Sequence, residues 1–196
     1  MAREKRDFLL AGVGGQGTIL ASDILVEVGL ASGYDVKKSE VHGMAQRGGS
    51  VESQVRWGER VYSPTIERGD ADYLLGFEML EVARWVGFIK PGADVIVNRY
   101  RIAPPSVNTG QAKYPEEADI ARVLETRAGR VTWVDATDKA SALGNAALAG
   151  VVLLGRLAAD MDIAADVWLE VVERLVPVKF VQLNREAFTV GMGLGA

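Results

Sequence analysis

A glycine-rich loop near the amino terminus is the segment whose residue types most clearly suggest ligand chemistry. In the sequence "GVGGQG", Gly12, Gly14 and Gly17 fit the spacing G-x-G-x-x-G between an apolar run and a predicted helix. Glycines at this spacing allow a tight turn and a close backbone approach, and the helix start offers unpaired N–H groups to an anion. The loop, including Gly15 and Gln16, is therefore a candidate phosphate-binding element.

The second half of the dinucleotide-binding pattern is weaker. A dinucleotide site places an acidic residue about 20 positions after the glycines, at the end of the second strand. Here that residue is Glu40, which follows Lys37 and Lys38. A tight strand-to-helix turn packed against another surface explains the same glycines. Both interpretations stay open on spacing alone.

Polar residues follow several of the other predicted strands. In an open α/β sheet, ligands gather at the carboxyl ends of the strands. Glu78 is predicted either to cap the next helix or to line a site there, and Asn98 ends a later strand. The candidate binding residues are Gly12, Gly14, Gly15, Gln16, Gly17, Arg47, Gly48, Gly49, Glu78 and Asn98.

The loop "VHGMAQRGGS" carries two further candidates. His42 is the one histidine of the chain, and it could move a proton near neutral pH or serve as a structural hydrogen-bonding group. It is the one catalytic candidate. Arg47 beside Gly48 and Gly49 could pair with a carboxylate or phosphate, so we expect it to contact a ligand or a partner subunit.

Composition excludes several classes of site. The chain has 196 residues, no cysteine and a formal net charge of -4. No disulfide, thiolate nucleophile or cysteine-held cluster is possible, and a histidine-based metal site is not expected. The negative charge disfavours nucleic acid and anionic membranes as partners. The longest apolar stretch is too short to span a membrane, and the start lacks a signal peptide, so a cytoplasmic location is predicted.

Periodicity predicts an α/β fold with a doubly wound, mostly parallel Rossmann-like sheet. One domain over residues 1–196 is expected, with an added β-hairpin starting at Trp57 and a helical C-terminal segment from about residue 141. The strand Val51–Trp57 alternates, which predicts one covered face and one wetter face carrying Glu52, Gln54 and Arg56. Strands are predicted at 7–12, 34–40, 51–57, 71–77, 93–98 and 131–135, and helices at 17–32, 79–88, 116–128, 142–159, 164–175 and 179–188.

Taken together, several motifs resemble one family. "GVGGQG", "SEVHGMAQRGGSV" and "YSPTIERGDADYLLGFE" are similar to the gamma-type subunits of 2-oxoacid:ferredoxin oxidoreductases, as are "GNAALAGVVLLGRLAA" and "VQLNREAFTVG". The form "EVHGMAQRGGSV" is most similar to the beta subunits of the members that act on indolepyruvate. The resemblance spans nearly the whole chain.

The resemblance implies oxidative decarboxylation of an arylpyruvate, with coenzyme A as co-substrate and ferredoxin as electron acceptor. It places thiamine diphosphate and the iron–sulfur clusters on a large alpha subunit, so this chain is expected to hold no cofactor and to be inactive alone. The isolated chain could form homodimers through its exposed interface. The alternatives are a stand-alone NAD(P)-binding Rossmann enzyme and a non-catalytic scaffold subunit.

Overall fold

A six-stranded mixed sheet forms the centre of the molecule in a computed structural model, which describes residues 4–42 and 49–195. The strand order is β2-β3-β1-β4-β5-β6. The pairs β1–β4, β4–β5 and β5–β6 are parallel, whereas β3 is antiparallel to both β1 and β2. The strands are β1 (Arg6–Val13), β2 (Asp35–His42), β3 (Ser50–Gly58), β4 (Ala71–Gly76), β5 (Ile89–Asn98) and β6 (Ala128–Val134).

Helices cover both faces of this sheet, which confirms the predicted doubly wound α/β fold. Within the described residues they are α1 (Thr18–Ala31), α2 (Met79–Trp85), α3 (Pro105–Asn108), α4 (Glu117–Glu125), α5 (Ala136–Ala142), α6 (Ala149–Ala158), α7 (Ala165–Leu175) and α8 (Val181–Met192). The helices α1, α6, α7 and α8 contribute to one apolar core, and α2 and α4 contribute to the other.

The central strand β1 supplies both cores because successive side chains of a strand point to opposite faces. Phe8 and Leu10 belong to the core under α1 and α6, and Leu9 and Ala11 belong to the core under α2. All four side chains are fully buried. A run that is apolar at every position is what a strand covered on both faces requires.

The predicted hairpin is in the wrong place. No strand follows Trp57 within residues 59–70, and the antiparallel partner of β3 on that side is the preceding strand β2. The segment after Gly58 instead runs back along β3 and is held there by side chains. Arg56 donates to the carbonyl oxygens of Ser63 and Thr65, at 3.3 and 2.8 Å.

The prediction of a wetter face on β3 is also wrong. Glu52 and Gln54 are each 6% exposed, and the segment 59–70 lies over this face through Ile66. Gln54 accepts from the N–H of Ile66 at 2.6 Å and donates to Glu52 at 3.0 Å. Arg56 makes two hydrogen bonds to Asp7, a fully buried carboxylate. The alternation is therefore real, but the polar residues pair with one another instead of with solvent.

The helix predicted over residues 142–159 starts later than predicted, and it is preceded by α5, which the sequence did not predict. α5 ends at Ala142, and Gly144 adopts a φ of +95°, a conformation that stops a helix and that glycine tolerates. Asn145 then accepts from the N–H of Ala147 at 3.0 Å, and α6 begins at Ala149. The buried apolar residues of α6, α7 and α8 belong to the core of this chain.

Two glycines set the close crossing of α6 and α8. A Cβ on Gly155 would lie 2.1 Å from the carbonyl oxygen of Phe188, and one on Gly191 would lie 2.0 Å from that of Val152. Both contacts are to backbone atoms, which a side-chain rotation cannot relieve. The helices therefore approach as closely as their backbones allow.

We predict that Gly155→Ala lowers the free energy of unfolding by about 3 kcal/mol, the upper end of what overpacking costs. Urea denaturation of the purified protein measures this change. Gly193→Ala is the matched control, because no atom lies within 4 Å of that Cβ and its cost is expected to stay within about 0.5 kcal/mol. Equal effects of the two substitutions would contradict the close crossing.

Glu52 generates a second prediction. Burial raises the pKa of this carboxyl, against the lowering effect of the hydrogen bond from Gln54, and its Oε2 has no hydrogen-bond partner among the described residues. Ionised Glu52 therefore disfavours the folded state above its unfolded pKa of about 4.3. Glu52→Gln, which keeps the acceptor for Gln54, is expected to raise the melting temperature at pH 7. The gain should vanish near pH 4, and a gain that is the same at both pH values would refute this explanation.

Candidate functional site

The carboxyl ends of the parallel strands meet at one edge of the sheet, as the sequence predicts. The glycine loop follows β1, Phe77 and Glu78 follow β4, and Asn98 ends β5. Strand β3 runs in the opposite direction, so its first residue, Ser50, lies at the same edge and pairs with Val13. This edge therefore collects most of the candidate residues.

The glycine loop has the conformation expected of an anion-binding turn. Gly15 and Gly17 adopt φ values of +101° and +82°, and α1 begins directly after Gly17. Within the described residues, no acceptor bonds to the N–H groups of Gly15, Gly17 or Thr18. Gly14 differs, since its N–H donates to the carbonyl oxygen of Gly49 at 2.9 Å. The free donors at the helix start can bind an oxyanion.

One backbone carbonyl, that of Phe77, ties the loop to the neighbouring strands. Its oxygen accepts from Gln16 Nε2 at 2.9 Å and from Asn98 Nδ2 at 3.0 Å. Gln16 Oε1 also accepts from the N–H of Val13 at 2.7 Å, which closes the turn on itself. Asn98 reaches onward to α5, where it bonds both the N–H and the hydroxyl of Thr137.

Gly12 has a packing role in this arrangement. A Cβ at Gly12 would lie 2.8 Å from Phe77 Cβ and 2.9 Å from Thr18 Oγ1. Across the ring of Phe77, a Cβ at Gly150 would lie 3.0 Å from Cε1. Both glycines therefore allow the loop and α6 to approach Phe77 closely, and Gly12 does not line the cleft described next.

A cleft of about 280 Å³ opens between the glycine loop, the end of β5 and the start of α6. Its polar groups come from the loop, Asn98 and Thr137, and its remaining walls are apolar or aromatic. Such a mixture suits a ligand that has an apolar body and a few polar atoms. The cleft is lined by Gly14, Gly15, Gln16, Phe77, Asn98, Tyr100, Ile102, Thr137, Ala146, Ala147 and Ala149.

Glu78 lies on the other side of β4 from the cleft. It is 1% exposed and caps α2 by accepting from the N–H of Glu81 at 2.8 Å. It also accepts from the N–H of Ile102 at 3.0 Å and from the hydroxyl of Tyr114. The cap interpretation is thus confirmed. Direct contact of Glu78 with a ligand stays an untested prediction, since its side chain is absent from the cleft lining within the described residues.

The hydroxyl of Tyr114 is held in its protonated form. Burial, together with the hydrogen bond to Glu78 and the charge of that carboxylate, raises the pKa of Tyr114. The hydroxyl therefore donates to Glu78 throughout the physiological pH range. It also accepts from the N–H of Leu80 at 3.1 Å.

Glu40 is badly placed for a dinucleotide ribose. Strand β3 lies between β1 and β2, so Glu40 is two strands, about 10 Å, from the glycine loop's own strand. Its carboxylate forms an ion pair with Lys38. The acidic residue that a dinucleotide site needs beside the loop is therefore missing from the position that spacing suggested.

Of the four remaining candidates, Gly49 and the backbone of His42 belong to the residues that the structure describes. The backbone of His42 pairs with Val51 at the end of β2, which brings it to the carboxyl edge, but its side chain lies outside the described residues. Arg47 and Gly48 lie wholly outside them. Gly49 touches the loop through its bond from Gly14. The proposed roles of His42, Arg47 and Gly48 stay predictions.

Sequence reasoning missed part of the cleft. Tyr100, Ile102 and Thr137 lie in segments with no motif, and the alanines of residues 146–149 look like ordinary helix formers. Their positions in the chain could have indicated a role, because each segment directly follows a strand or begins a helix at the carboxyl edge. Arg99 and Arg101 flank Tyr100 in the chain and are half-exposed, so they bring positive charge near this wall.

The described residues contain neither a metal-binding cluster nor a membrane-spanning helix. In that part of the chain, His, Asp and Glu side chains nowhere gather in groups of three or more that could hold a metal ion. Nor does any helix of residues 4–42 and 49–195 have the length and apolar character needed to cross a bilayer.

Comparisons with known proteins show the family to which the chain belongs. The family model for pyruvate ferredoxin/flavodoxin oxidoreductase matches residues 7–194. Indolepyruvate oxidoreductase subunit IorB of Pyrococcus horikoshii is 38% identical over 189 residues, which cover 95% of this chain and 94% of that protein.

Two solved structures share the fold. The gamma subunit of keto/oxoacid ferredoxin oxidoreductase from Geobacter sulfurreducens has a TM-score of 0.71 and 23% identity, with 96% of this chain and 97% of that one covered. The 2-oxoglutarate:ferredoxin oxidoreductase from Magnetococcus marinus has a TM-score of 0.73 and 20% identity, and the match covers 98% of this chain and 31% of that one.

We predict that Gln16→Ala lowers the free energy of unfolding by about 1–3 kcal/mol, because it leaves the N–H of Val13 without its acceptor and removes one donor to Phe77. Gln182→Ala is the matched control, since its amide bonds only an exposed glutamate on the same helix. Denaturant unfolding measures both variants. A Gln16→Ala protein as stable as the control would show that the amide does not fasten the loop.

Proposed function

Because this chain belongs to the pyruvate ferredoxin/flavodoxin oxidoreductase family, we propose that it is the small subunit of an oxidoreductase acting on indolepyruvate or a related arylpyruvate. In the proposed reaction, the 2-oxoacid loses carbon dioxide, its acyl group is joined to coenzyme A, and the electrons pass to ferredoxin. The name of the Pyrococcus horikoshii relative supports the substrate class.

The observation that carries the proposal is the cleft at the carboxyl edge of the sheet. It combines the N–H of Gly15, which no described acceptor bonds, with walls of Phe77, Tyr100 and Ile102. Coenzyme A has the same combination of chemistry, with phosphates joined to a long, largely uncharged arm. The Magnetococcus marinus enzyme, which was solved with coenzyme A and succinyl-CoA bound, supports this assignment.

The cavity is proposed to lie at the boundary with a larger partner subunit. The cleft is open, and the backbone of His42 and that of Gly49 lie at the same edge of the sheet. As the resemblance to the family implies, the large subunit would hold thiamine diphosphate and the iron–sulfur clusters, and this chain has no cysteine to ligate a cluster. The proposed role of this chain is to bind part of the substrate and to exclude water from the cavity. We also propose that residues 1–196 form one domain and that the protein is cytoplasmic.

The topology argues against a free-standing NAD(P) enzyme. Insertion of β3 between β1 and β2 removes Glu40 from the side of the glycine loop, and the pair with Lys38 occupies its carboxylate. A non-catalytic scaffold is the other alternative. A scaffold subunit would hold the partner without affecting the affinity of the enzyme for its substrates, whereas a subunit that forms part of the cavity would affect that affinity.

The test uses the complex of this chain with its large subunit, purified without oxygen. Ala147→Trp places a bulky ring at an exposed lining position of the cleft, whereas Ala118→Trp places one on α4, at the opposite face of the sheet. We predict that Ala147→Trp raises KM for coenzyme A at least tenfold and leaves KM for the arylpyruvate within about twofold. Ala118→Trp should change neither.

Either of two results would overturn the proposal. A complex that forms normally and in which Ala147→Trp changes neither KM would favour the scaffold. A chain that purifies alone from its host, and whose preparations reduce no dye with arylpyruvate and coenzyme A, would contradict the subunit assignment itself.

A further inference from the structure

One wall of the cleft is fastened to a helix that does not line the cleft. Tyr100 and Ile102 follow β5 and form this wall. The carbonyl oxygen of Tyr100 accepts from the N–H of Met79 at 3.1 Å, and the N–H of Ile102 donates to Glu78 at 3.0 Å. Both bonds lead to the first turn of α2, on the far side of β4.

Glu78 is the centre of these contacts. Oε2 accepts from the N–H of Glu81, and Oε1 accepts from both Ile102 and the hydroxyl of Tyr114. A carboxylate shared by three donors in a 1% exposed position is strongly held. Its orientation therefore fixes the distance between the start of α2 and the wall.

Tyr114 closes the arrangement from outside. Its hydroxyl accepts from the N–H of Leu80 at 3.1 Å while donating to Glu78, and its ring lies 5.4 Å from the guanidinium of Arg101. Arg101 is the residue between the two wall residues. The side chain of Tyr114 thus contacts both the start of α2 and the wall, yet it is not part of the cleft lining among the described residues.

We propose that Glu78 and Tyr114 form a clamp that positions the wall of Tyr100 and Ile102 and so sets the affinity of the cleft for its ligand. Both are positioning residues, since neither touches the cleft. The inference rests on the proposed function, which assigns part of coenzyme A to this cleft. When the clamp loosens, the wall moves away from the bound ligand, and the ligand dissociates faster.

The test is Tyr114→Phe in the purified complex with the large subunit, with coenzyme A as the probe. Tyr62→Phe is the matched control, because it removes the same atom from a side chain that is 83% exposed. We expect Tyr114→Phe to raise KM for coenzyme A about five- to tenfold, the effect of losing one ordinary hydrogen bond that holds the wall. The kcat and the KM for the arylpyruvate should stay within about twofold.

A second measurement follows the wall directly and does not depend on turnover. In the same complex without coenzyme A, Tyr114→Phe should speed hydrogen–deuterium exchange of the amides at residues 100–103, and Tyr62→Phe should not. Unchanged exchange and unchanged KM, in a complex where Ala147→Trp still raises KM, would overturn the clamp while leaving the proposed function in place. If Ala147→Trp has no effect either, the proposed function fails and the clamp fails with it.

A general loss of stability would also refute the clamp. If Tyr114→Phe lowers kcat and the melting temperature of the complex together, with KM for coenzyme A unchanged, then Tyr114 serves the fold and not the cleft.

Discussion

The carbonyl oxygen of Phe77 is the acceptor on which the candidate site depends. Two side-chain amides, from Gln16 and Asn98, donate to it from the glycine loop and from the next parallel strand. A buried carbonyl left without donors costs free energy, and two amides that lose their acceptor cost more. The three strand ends therefore hold one another in position through a single oxygen.

The packing around the Phe77 side chain is equally restrictive. Gly12 and Gly150 both approach it more closely than an alanine would allow without movement of its neighbours. Interiors of this density transmit displacements instead of absorbing them. The glycine loop, the start of α6 and the end of β4 thus behave as one unit, and the cleft is the space beside this unit.

Phe77 and Glu78, which directly follow β4, lie on opposite faces of the sheet. Phe77 points to the side of α1 and α6 and lines the cleft, whereas Glu78 points to the side of α2 and clamps the wall. In our proposal, Phe77 contacts the ligand and the adjacent Glu78 positions the wall. This separation is why a capping carboxylate outside the cleft can influence what binds inside it.

Much of the fold could be predicted from the sequence because hydrophobic periodicity is a local property. The strands β1, β3 and β4 and the helices α1 and α7 were predicted close to their observed bounds, and the family resemblance was confirmed by the family model and by a curated relative. The errors on the hairpin and on the wetter face of β3 concern contacts between distant segments, whereas the error on the helix at 142–159 comes from the local turn at Gly144. Only the tertiary structure shows that residues 59–70 cover β3 or that β3 separates β1 from β2.

The same limit applies to the site. The glycine spacing and the strand ends predict the edge, and the convergence there follows from parallel topology. The wall of Tyr100 and Ile102 could not be predicted, since its position depends on hydrogen bonds to Glu78 from residues 24 and 36 positions away. A capping glutamate looks the same in sequence whether or not a distant segment also uses it.

The most direct test of the central claim is to photocrosslink the assembled complex with a coenzyme A analogue that carries a photoreactive group, and to map the adducts by peptide mass spectrometry. We predict adducts on this chain within residues 100–102 and 146–149 that excess coenzyme A suppresses. Adducts confined to the large subunit, with none on this chain that coenzyme A suppresses, would contradict it.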